Sequence, residues 1–532
     1  NILVGSKKPV FSWRVETEKR NVHQESYRVQ VWDEQGNSVW DSGTVEASRM
    51  AGIQYEGKEL QSGKRMTWHV SCIFSSDEGV ITAEEESSFE TAYHNREDWK
   101  GKFIGETKDH EYHLYRKKFV CKKAVKLAKL YVCGMGAFEC WINGERVSDH
   151  VMEPGWTDFR RTCFYTAYDV SEYFAEGENT ENIILVKLGD CMFNVPGGRY
   201  VYFQRSYGKA KLLCQLELVY EDGSREYVVT DESWKRAKSP IEFCCIYGGE
   251  DFDGKRWTRE YLTSEASEIW EAAVCVEPPL GELKPAPMEP LRVKEIYQPV
   301  SVREVETGVW QYDLGKNFSG WARIFLKTNG SRAGQKVVLK TAEKLDENGR
   351  IDQSVTGKDY AWTYVLNDKK EQEFAPDFTY TGFRYVEMTG AVPGKEISLQ
   401  GELIYPDVDQ AGDFCCSNTL FNQIHKIILQ AIKSNTKSYF TDCPHREKLG
   451  WLEQTHLIGP SIMYNLDVHN LYTKIEGDMA DSQRENGLIP DICPEYVTGF
   501  DKWHKGFLDS PEWGSACVLA PWYAYKRYGD LA

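Results

Sequence analysis

The segment Thr441–Trp451, which reads TDCPHREKLGW, collects side chains that can handle protons and sugar hydroxyls. It holds two carboxylates, Asp442 and Glu447, with Arg446 beside the second. Pro444 fixes its own backbone angle and restricts the residue before it, so the segment should be rigid. Glycoside cleavage uses such a set: one protonated carboxylic acid serves the leaving oxygen, and a second carboxylate activates water or attacks the sugar. The plainer alternative is a surface loop of solvated charges in which Asp442 caps the next helix.

Other catalytic chemistries lack their signatures in this sequence. The 11 histidines show no useful clustering and no H-E-x-x-H occurs, so we expect no metal site. The stretch 330–336, GSRAGQK, has the wrong spacing for a phosphate-binding loop and lies between expected strands. The G-x-S-x-G turn that carries a serine nucleophile is absent. We therefore expect neither a metal nor a cofactor.

Length and charge narrow the class of partner. A chain of 532 residues exceeds a single core and corresponds to roughly three to four domains. Its net charge of −17 disfavours nucleic acid and anionic membranes, which attract basic patches, and is compatible with a neutral substrate. No run of about 18 apolar residues is present, so no membrane span is expected. The 13% aromatic content suits either β-sandwich cores or flat faces that stack on sugar rings.

The cysteines indicate a reduced protein. There are 15, an odd number, with adjacent pairs at 244–245 and 415–416 and no C-x-x-C. Several, such as Cys133, Cys140 and Cys214, lie in apolar runs where a thiol behaves as a small hydrophobe. We expect a cytoplasmic location. Because the chain starts at Asn1 rather than at a methionine, removal of a leader peptide is the alternative.

Short strands with a period of two fill most of the chain. Up to about residue 92, runs such as Tyr27–Trp32 predict a β-sandwich of fibronectin type III size. From about 100 to 275, hairpin signals at Asn143-Gly144 and Asp222-Gly223 predict a larger sandwich or jelly roll. Pro278–Pro290, rich in proline, is expected to be a linker. A third β block follows from about 291 to 405.

The hydrophobic period changes to that of helices after about residue 411. With Ser417 as the expected N-cap, a first amphipathic helix is predicted from the apolar residues Leu420, Phe421, Ile424, Ile427, Ile428, Ala431 and Ile432. A second helix is expected from about Asp467 to Arg484, and a third from Ser510 to Gly529. We expect them to form the first part of a toroid of helical hairpins, with the chain stopping partway through this domain.

Four stretches carry a resemblance to a known family. TDCPHREKLGWLEQ (Thr441–Gln454) resembles the signature loop of the bacterial α-L-rhamnosidases, glycoside hydrolase family 78. Trp141–Phe174 resembles the family's amino-terminal β-sandwich, and Asp313–Ile324 and Tyr380–Glu387 resemble its next β domain. The likeness covers essentially the whole chain in the family's order.

The resemblance implies three β-sandwich or jelly-roll domains followed by an (α/α)6 barrel that is truncated at the C-terminus. The expected divisions are 1–93 for a fibronectin type III-like sandwich and 94–277 for the rhamnosidase N-terminal sandwich. A second rhamnosidase sandwich is expected over 290–406, and the first part of the catalytic barrel over 411–532.

Transferred position by position, the family's general acid falls on Glu447. Asp442 falls on the acid that binds substrate hydroxyls, and Trp451 on an aromatic residue of the sugar pocket. Arg446 matches the arginine of the motif, where it would contact a ring hydroxyl or hold Glu447 in place.

The motif's second acid falls on Gln454 instead. Either Gln454 keeps the hydrogen-bonding part of that role, or the neighbouring Glu453 supplies a carboxylate. Trp513 resembles a further residue of the pocket wall, with a core tryptophan at a helix start as the equal alternative. The family inverts anomeric configuration, and its general base is a glutamate of the later barrel, which we expect beyond Ala532.

The resemblance implies a hydrolase that releases terminal α-L-rhamnose from glycosides or polysaccharide. Its partner would be a rhamnose-containing glycoside or oligosaccharide, with no nucleic acid and no membrane, and a homodimer is an open alternative to a monomer. Two other functions stay open: another inverting (α/α)6-barrel glycosidase, and a carbohydrate-binding protein without catalysis. These 532 residues by themselves, without the base, should be inactive or nearly so.

Overall fold

The computed structural model describes residues 3–174, 179–195, 197, 199, 203–262, 269–328, 330, 332–356, 359–496 and 508–529. Over these residues the chain is mostly β, in several regions, with a helical region at its C-terminal end. The expected barrel range 411–532 includes 497–507 and 530–532, which lie outside the described residues.

The first β region is a small two-sheet structure. Its strands β1–β7 are Val10–Phe11, His23–Trp32, Ser38–Asp41, Val45–Glu46, Ile53–Gln54, Arg65–Ser76 and Gly79–Glu90. One sheet has the order β3-β2-β6-β7 with β4 on β2, and β1 pairs with β5. The alternation that predicts strands also builds the core, because Val29 and Val31 of β2 pack with Phe11 and Phe74.

The second β region places two sheets face to face. Its strands β8–β19 are Ile104–Gly105, His113–Cys121, Val125–Met135, Ala137–Ile142, Glu145–Arg146, Thr162–Asp169, Thr180–Gly189, Asn194–Val195, Arg205–Ser206, Lys211–Tyr220, Arg225–Val229 and Lys235–Lys238. One sheet centres on β17-β10-β13 and the other on β11-β14-β9. Strand β10 contributes side chains to two hydrophobic cores. Leu130 and Val132 pack between these sheets, while Tyr131 and Cys133 pack on the opposite side.

The third β region is a sheet with continuous hydrogen bonding. The strands β20–β31 are Ile241–Cys245, Gly249–Asp253, Glu271–Ala272, Glu282–Pro285, Leu291–Tyr297, Ser301–Glu306, Val309–Lys327, Lys336–Ala342, Ala361–Val365, Glu371–Phe374, Thr381–Thr389 and Ile397–Pro406. Ten of them form this sheet: eight follow the order β20-β21-β28-β27-β30-β26-β31-β24, and β25 and β29 also pair with β26.

One strand pairing in this region crosses an expected domain boundary, and one sequence expectation needs correction. Strands β20 and β21 lie within the expected domain 94–277, yet β21 pairs in parallel with β28 and so joins the sheet of the next region. The stretch Pro278–Pro290 is not a plain linker, because β23 within it pairs in parallel with β13 of the second region. Both pairings join residues distant in sequence, which local proline content and turn signals do not reveal. The division into four domains stays a prediction.

The helical region contains helices α1–α6, which are Thr419–Asn435, Glu453–Leu457, Gly459–Asn465, His469–Ser482, Pro511–Gly514 and Ala516–Tyr528. The three predicted helices are confirmed, although the third is broken at Ser515 into α5 and α6. Gly529 ends α6 in the left-handed conformation at φ 70°. The short helices α2 and α3 were not predicted, since neither is long enough to show a clear period. No helix among the described residues is long and apolar enough to cross a bilayer.

Helix α1 departs from expectation at its start and on its apolar face. Its N-cap is Asn418 rather than Ser417, because the Asn418 side chain accepts hydrogen bonds from the amides of Leu420 and Phe421. The apolar residues predicted as its packed face are largely exposed, and Ile427 keeps 69% of its surface accessible. Ile432, one turn before the C-terminus of α1, is the member of that set that is buried.

The helical region docks on the second β region around Trp156. The Trp156 ring lies edge-on to Tyr439 and Tyr496, at centroid distances of 4.6 and 5.4 Å. Below it, the buried ammonium of Lys474 donates 2.5 Å hydrogen bonds to the Trp156 carbonyl and to Asp478. This ion pair tolerates burial because each of its charges has a partner.

Asp478→Asn should strongly destabilise this junction. Removal of the carboxylate leaves the Lys474 ammonium buried and uncompensated, which costs about 3–5 kcal/mol in comparable pairs. Thermal unfolding of the whole protein, followed by calorimetry, should show a lower midpoint. The control is Asp467→Asn, at an exposed aspartate just before the same helix, which should leave the midpoint nearly unchanged.

Candidate active site

The two carboxylates lie in a folded loop, Asp442–Leu449, that we call the carboxylate loop. The loop closes on itself, because the Asp442 amide donates to the Leu449 carbonyl at 3.2 Å and the Leu449 amide donates to Asp442 Oδ1 at 3.2 Å. Within it, the Lys448 amide donates to the Cys443 carbonyl at 3.2 Å. The loop therefore holds its shape through its own hydrogen bonds.

Glu447 is oriented by two donors. Arg446 Nη2 donates to Oε1 at 2.8 Å, and Trp451 Nε1 donates to Oε2 at 2.7 Å. The Glu447 side chain keeps 21% of its surface exposed, against 53% for Arg446. The carboxyl group is thus partly sheltered, with its arginine partner on the solvent side.

Asp442 is electrostatically linked to Glu447. Burial raises the pKa of Asp442 to about 6, and the negative charge of Glu447 contributes in the same direction. The loop is not the solvated surface loop of the alternative interpretation, because Lys448 and Leu449 are buried. Asp442 also does not cap a helix, since its carboxylate accepts from within the loop.

The aromatic residues of the predicted pocket wall are brought together. Trp451 and Trp513 meet at a centroid distance of 6.1 Å and an interplanar angle of 64°. Trp513 belongs to α5, far along the chain from Trp451, so the fold joins two residues that the sequence separates widely. The pair forms an apolar wall beside Glu447.

Glu453 and Gln454 begin helix α2 next to this wall. Gln454 Nε2 donates to Glu453 Oε1 at 3.1 Å. Burial raises the pKa of Glu453, and the hydrogen bond from Gln454 partly opposes the shift. The structure therefore places a half-buried carboxylate, Glu453, within hydrogen-bond distance of the residue that replaces the motif's second acid.

The β regions supply contacts that the sequence patterns did not predict. Tyr247, between β20 and β21, donates its hydroxyl to the Glu447 carbonyl at 2.7 Å. The Gly382 amide of β30 donates to the Pro444 carbonyl at 3.1 Å. A Cβ on Gly382 would lie 2.6 Å from the Pro444 ring, so this close approach requires glycine. The glycine of YTGFRYVE was the one local signal for this contact.

Two lysines are buried behind the loop. Burial lowers the pKa of Lys448 to about 7 and that of Lys437 to about 7, and for Lys437 the Lys448 charge adds to the effect. Both ammonium groups lie over the Tyr380 ring, at 4.8 Å for Lys448 and 5.1 Å for Lys437. Lys437 donates to the carbonyls of Ser434 and Thr436 in its own segment.

Other candidate sites lie apart from this loop. A cavity of about 810 Å³ at the junction of the β regions is lined by residues such as His150, Glu153 and Arg292, and includes neither Asp442 nor Glu447. Among the described residues, no group of three or more histidines, cysteines and acids is placed to hold a metal ion.

Comparison with known proteins identifies four domain families along the chain. Family models match an N-terminal immunoglobulin domain over residues 1–95, an α-L-rhamnosidase N-terminal domain over 123–295 and a bacterial α-L-rhamnosidase concanavalin-like domain over 303–405. A bacterial α-L-rhamnosidase six-hairpin glycosidase domain matches residues 409–532.

The chain belongs to the bacterial α-L-rhamnosidase family. An α-L-rhamnosidase of Formosa agariphila is 28% identical over 582 residues, which cover 100% of this chain and 60% of that protein. The solved α-L-rhamnosidase of Dictyoglumus thermophilum is 34% identical with a TM-score of 0.90, covering 99% of this chain and 60% of that one. The α-L-rhamnosidase of Aspergillus terreus is 26% identical with a TM-score of 0.90, covering 99% of this chain and 61% of that one. The chain thus spans about 60% of the length of the Formosa and Dictyoglumus rhamnosidases.

Lys437→Met should flatten the pH dependence of stability in this rhamnosidase-family chain. An unfolded lysine keeps its proton up to about its ordinary pKa of 10.5, whereas folded Lys437 releases it near 7. Between these values the unfolded chain binds more protons, so stability rises with pH, by up to about 1.4 kcal/mol per pH unit for one group.

Thermal midpoints measured between about pH 7 and 10 should therefore rise less steeply in this variant. Lys426→Met, at an exposed lysine of α1, is the matched control and should keep the wild-type slope. An unchanged slope in Lys437→Met would contradict the assignment.

Proposed function

We propose that the whole protein hydrolyses terminal α-L-rhamnosyl bonds of glycosides or rhamnose-containing polysaccharide. The observation that supports this most is the carboxylate loop. It pairs a half-buried Asp442 with a sheltered Glu447, beside an apolar tryptophan wall, in a chain whose regions match the domains of rhamnosidases. A sugar with polar hydroxyls and an apolar C–H face fits such a surface.

Glu447 would act as the general acid. A proton donor needs one carboxyl oxygen free to carry the proton toward the glycosidic oxygen. Trp451 occupies Oε2 from the sheltered side, whereas Arg446 reaches Oε1 from the solvent side. Substrate binding would redirect the exposed Arg446 toward a ring hydroxyl, which frees Oε1 for the proton.

Asp442, Glu453 and Gln454 would hold sugar hydroxyls. The Asp442 carboxylate has one oxygen engaged with the Leu449 amide and lies in the same loop as the acid. Glu453 and Gln454 bond to each other and together offer a carboxylate and an amide where the family motif has one acid. Trp451 and Trp513 would face the methyl group that distinguishes rhamnose from sugars with a hydroxymethyl group.

We also propose that helices α1–α6 are part of an (α/α)6 barrel that works by inversion. The six-hairpin glycosidase match over 409–532 supports the barrel. So do the exposed apolar faces of α1 and α6, where Ile427 and Val518 are 69% and 68% exposed, because further helices would cover them. Inversion needs a base carboxylate roughly 6.5–9.5 Å from the acid. We assign that base to the rest of the barrel and to none of the described residues.

A cytoplasmic location is a further proposal. Each of the 15 cysteines is a free thiol, and most are buried. Burial raises the pKa of Cys443, inside the carboxylate loop, to about 12, so this thiol stays protonated and unreactive. Such a set of thiols suits a reducing compartment.

A panel of aryl glycosides tests the function with the whole protein. The α-L-rhamnoside should be the preferred substrate, and the first sugar anomer detected by NMR should be inverted. The matched control is the α-L-mannoside, which differs by one added hydroxyl at C6 and should react about 10–100-fold more slowly against an apolar wall. Preference for an unrelated sugar would favour another glycosidase, and binding without turnover would favour a carbohydrate-binding protein.

Glu447→Gln should slow hydrolysis of natural rhamnosides by about 10²–10⁴-fold, because the leaving sugar oxygen loses its proton donor. A dinitrophenyl rhamnoside, whose leaving group needs no proton, should lose far less. Turnover of both substrates is measured for the whole protein. Glu485→Gln, at an exposed glutamate of the helical region, is the control and should leave both rates unchanged. Equal rate losses on the two substrates would mean that Glu447 is not the acid.

A further inference from the structure

Lys448 follows Glu447 directly, but its side chain runs into the protein rather than toward the site. Its backbone φ is +53°, a left-handed conformation that is unfavourable for a residue other than glycine. The ammonium donates at 2.5 Å to the carbonyls of Ile246 and Tyr380. The left-handed turn thus sends two consecutive side chains, Glu447 and Lys448, to opposite sides of the loop.

Two consecutive residues of the β20–β21 hairpin hold these two consecutive residues of the loop. The Ile246 carbonyl receives the Lys448 ammonium, and the Tyr247 hydroxyl donates to the Glu447 carbonyl at 2.7 Å. Ile246 is fully buried and Tyr247 is 4% exposed. Together these two contacts fix both the position and the direction of the backbone at Glu447.

Other residues of the third β region also hold the loop. Tyr380 accepts from Lys448, and the neighbouring Gly382 donates to the Pro444 carbonyl at 3.1 Å. Glu343 Oε2 lies 3.4 Å from His445 Nδ1. The loop is therefore held on both sides of Glu447 by residues of the β regions rather than by helices.

We propose that Lys448 and Tyr247 are positioning residues that set the Glu447 carboxyl group for proton transfer, so that the β regions take part in catalysis through the loop. The inference rests on the proposed function of Glu447 as the acid. Proton donation demands a placement within a fraction of an ångström, and a displacement of about 1 Å costs about 10²-fold in rate. The contacts at Ile246, Tyr247 and Tyr380, all three of which are buried, supply that precision.

The alternative is that Lys448 only stabilises the interface. The chain offers a matched comparison in Lys437, which is also buried, also lies over the Tyr380 ring, and donates to carbonyls within its own segment. Loss of either lysine removes a buried amine beside the same ring. Of the two losses, only that of Lys448 releases the residue next to Glu447 from the carbonyls of Ile246 and Tyr380.

Lys448→Met and Tyr247→Phe are compared with Lys437→Met and with Glu447→Gln in the whole protein. For the first two variants, turnover of a natural rhamnoside should fall about 10–100-fold with KM nearly unchanged, while turnover of the dinitrophenyl rhamnoside falls less than about threefold. Lys437→Met should show no such dependence on the leaving group. The leaving-group pattern is the readout that a purely structural role would not move.

A second measurement does not require activity. Hydrogen exchange of the peptide amides of 442–451 should speed up in Lys448→Met and Tyr247→Phe and stay as in wild type in Lys437→Met. If Glu447→Gln shows no leaving-group dependence, the proposed function of Glu447 fails, and exchange alone then decides whether the β regions hold the loop. The proposal is overturned if exchange is unchanged in Lys448→Met, or if an active enzyme loses both substrates equally in that variant.

Discussion

The structure depends on how charges are satisfied where its regions meet. Four lysines are buried at such junctions, and each reaches a group that another region supplies. Lys129 contacts Glu90 at 2.6 Å, and Lys187 contacts Asp377 at 2.5 Å. Lys474 contacts the Trp156 carbonyl, and Lys448 contacts the carbonyls of Ile246 and Tyr380. A buried cation without a partner is strongly unfavourable, so each lysine accepts only one way for the two regions to fit. These contacts constrain the relative placement of the sheets and helices in addition to apolar packing.

The carboxylate loop inherits its geometry from that arrangement. Local hydrogen bonds between Asp442 and Leu449 close the loop, but they do not say where it lies relative to the sheets. That placement comes from Lys448 and from the close approach of Gly382 to Pro444. The same loop therefore has two faces with different tasks: a solvent-side face with Arg446, and a buried face that is part of the protein core.

Sequence patterns predicted what is local and failed where distant residues meet. The helical spacing in α1 and α4 and the rigidity expected around Pro444 are local, and α1 and α4 are present as helices. The fold's joining of Trp451 with Trp513 had a clue only in the family resemblance. The parallel pairing of β21 with β28 had none, since nothing within Gly249–Asp253 distinguishes a strand of one sheet from a strand of another. The buried role of Lys448 was equally hidden, because a lysine that follows Arg446 and Glu447 suggests exposure to solvent.

The pairing of β21 with β28 crosses the expected domain boundary at residue 277 and affects which parts of the chain can be exchanged by recombination. Because β21 forms the parallel neighbour of β28, a chain cut at residue 277 would strip the later sheet of that neighbour and leave an unpaired edge. The part before the cut would keep the β20–β21 hairpin without the sheet to which that hairpin belongs. Recombination that exchanged only the part before residue 277, or only the part after it, would therefore leave unpaired strand edges that tend to associate with other chains. We expect the two parts to be inherited together.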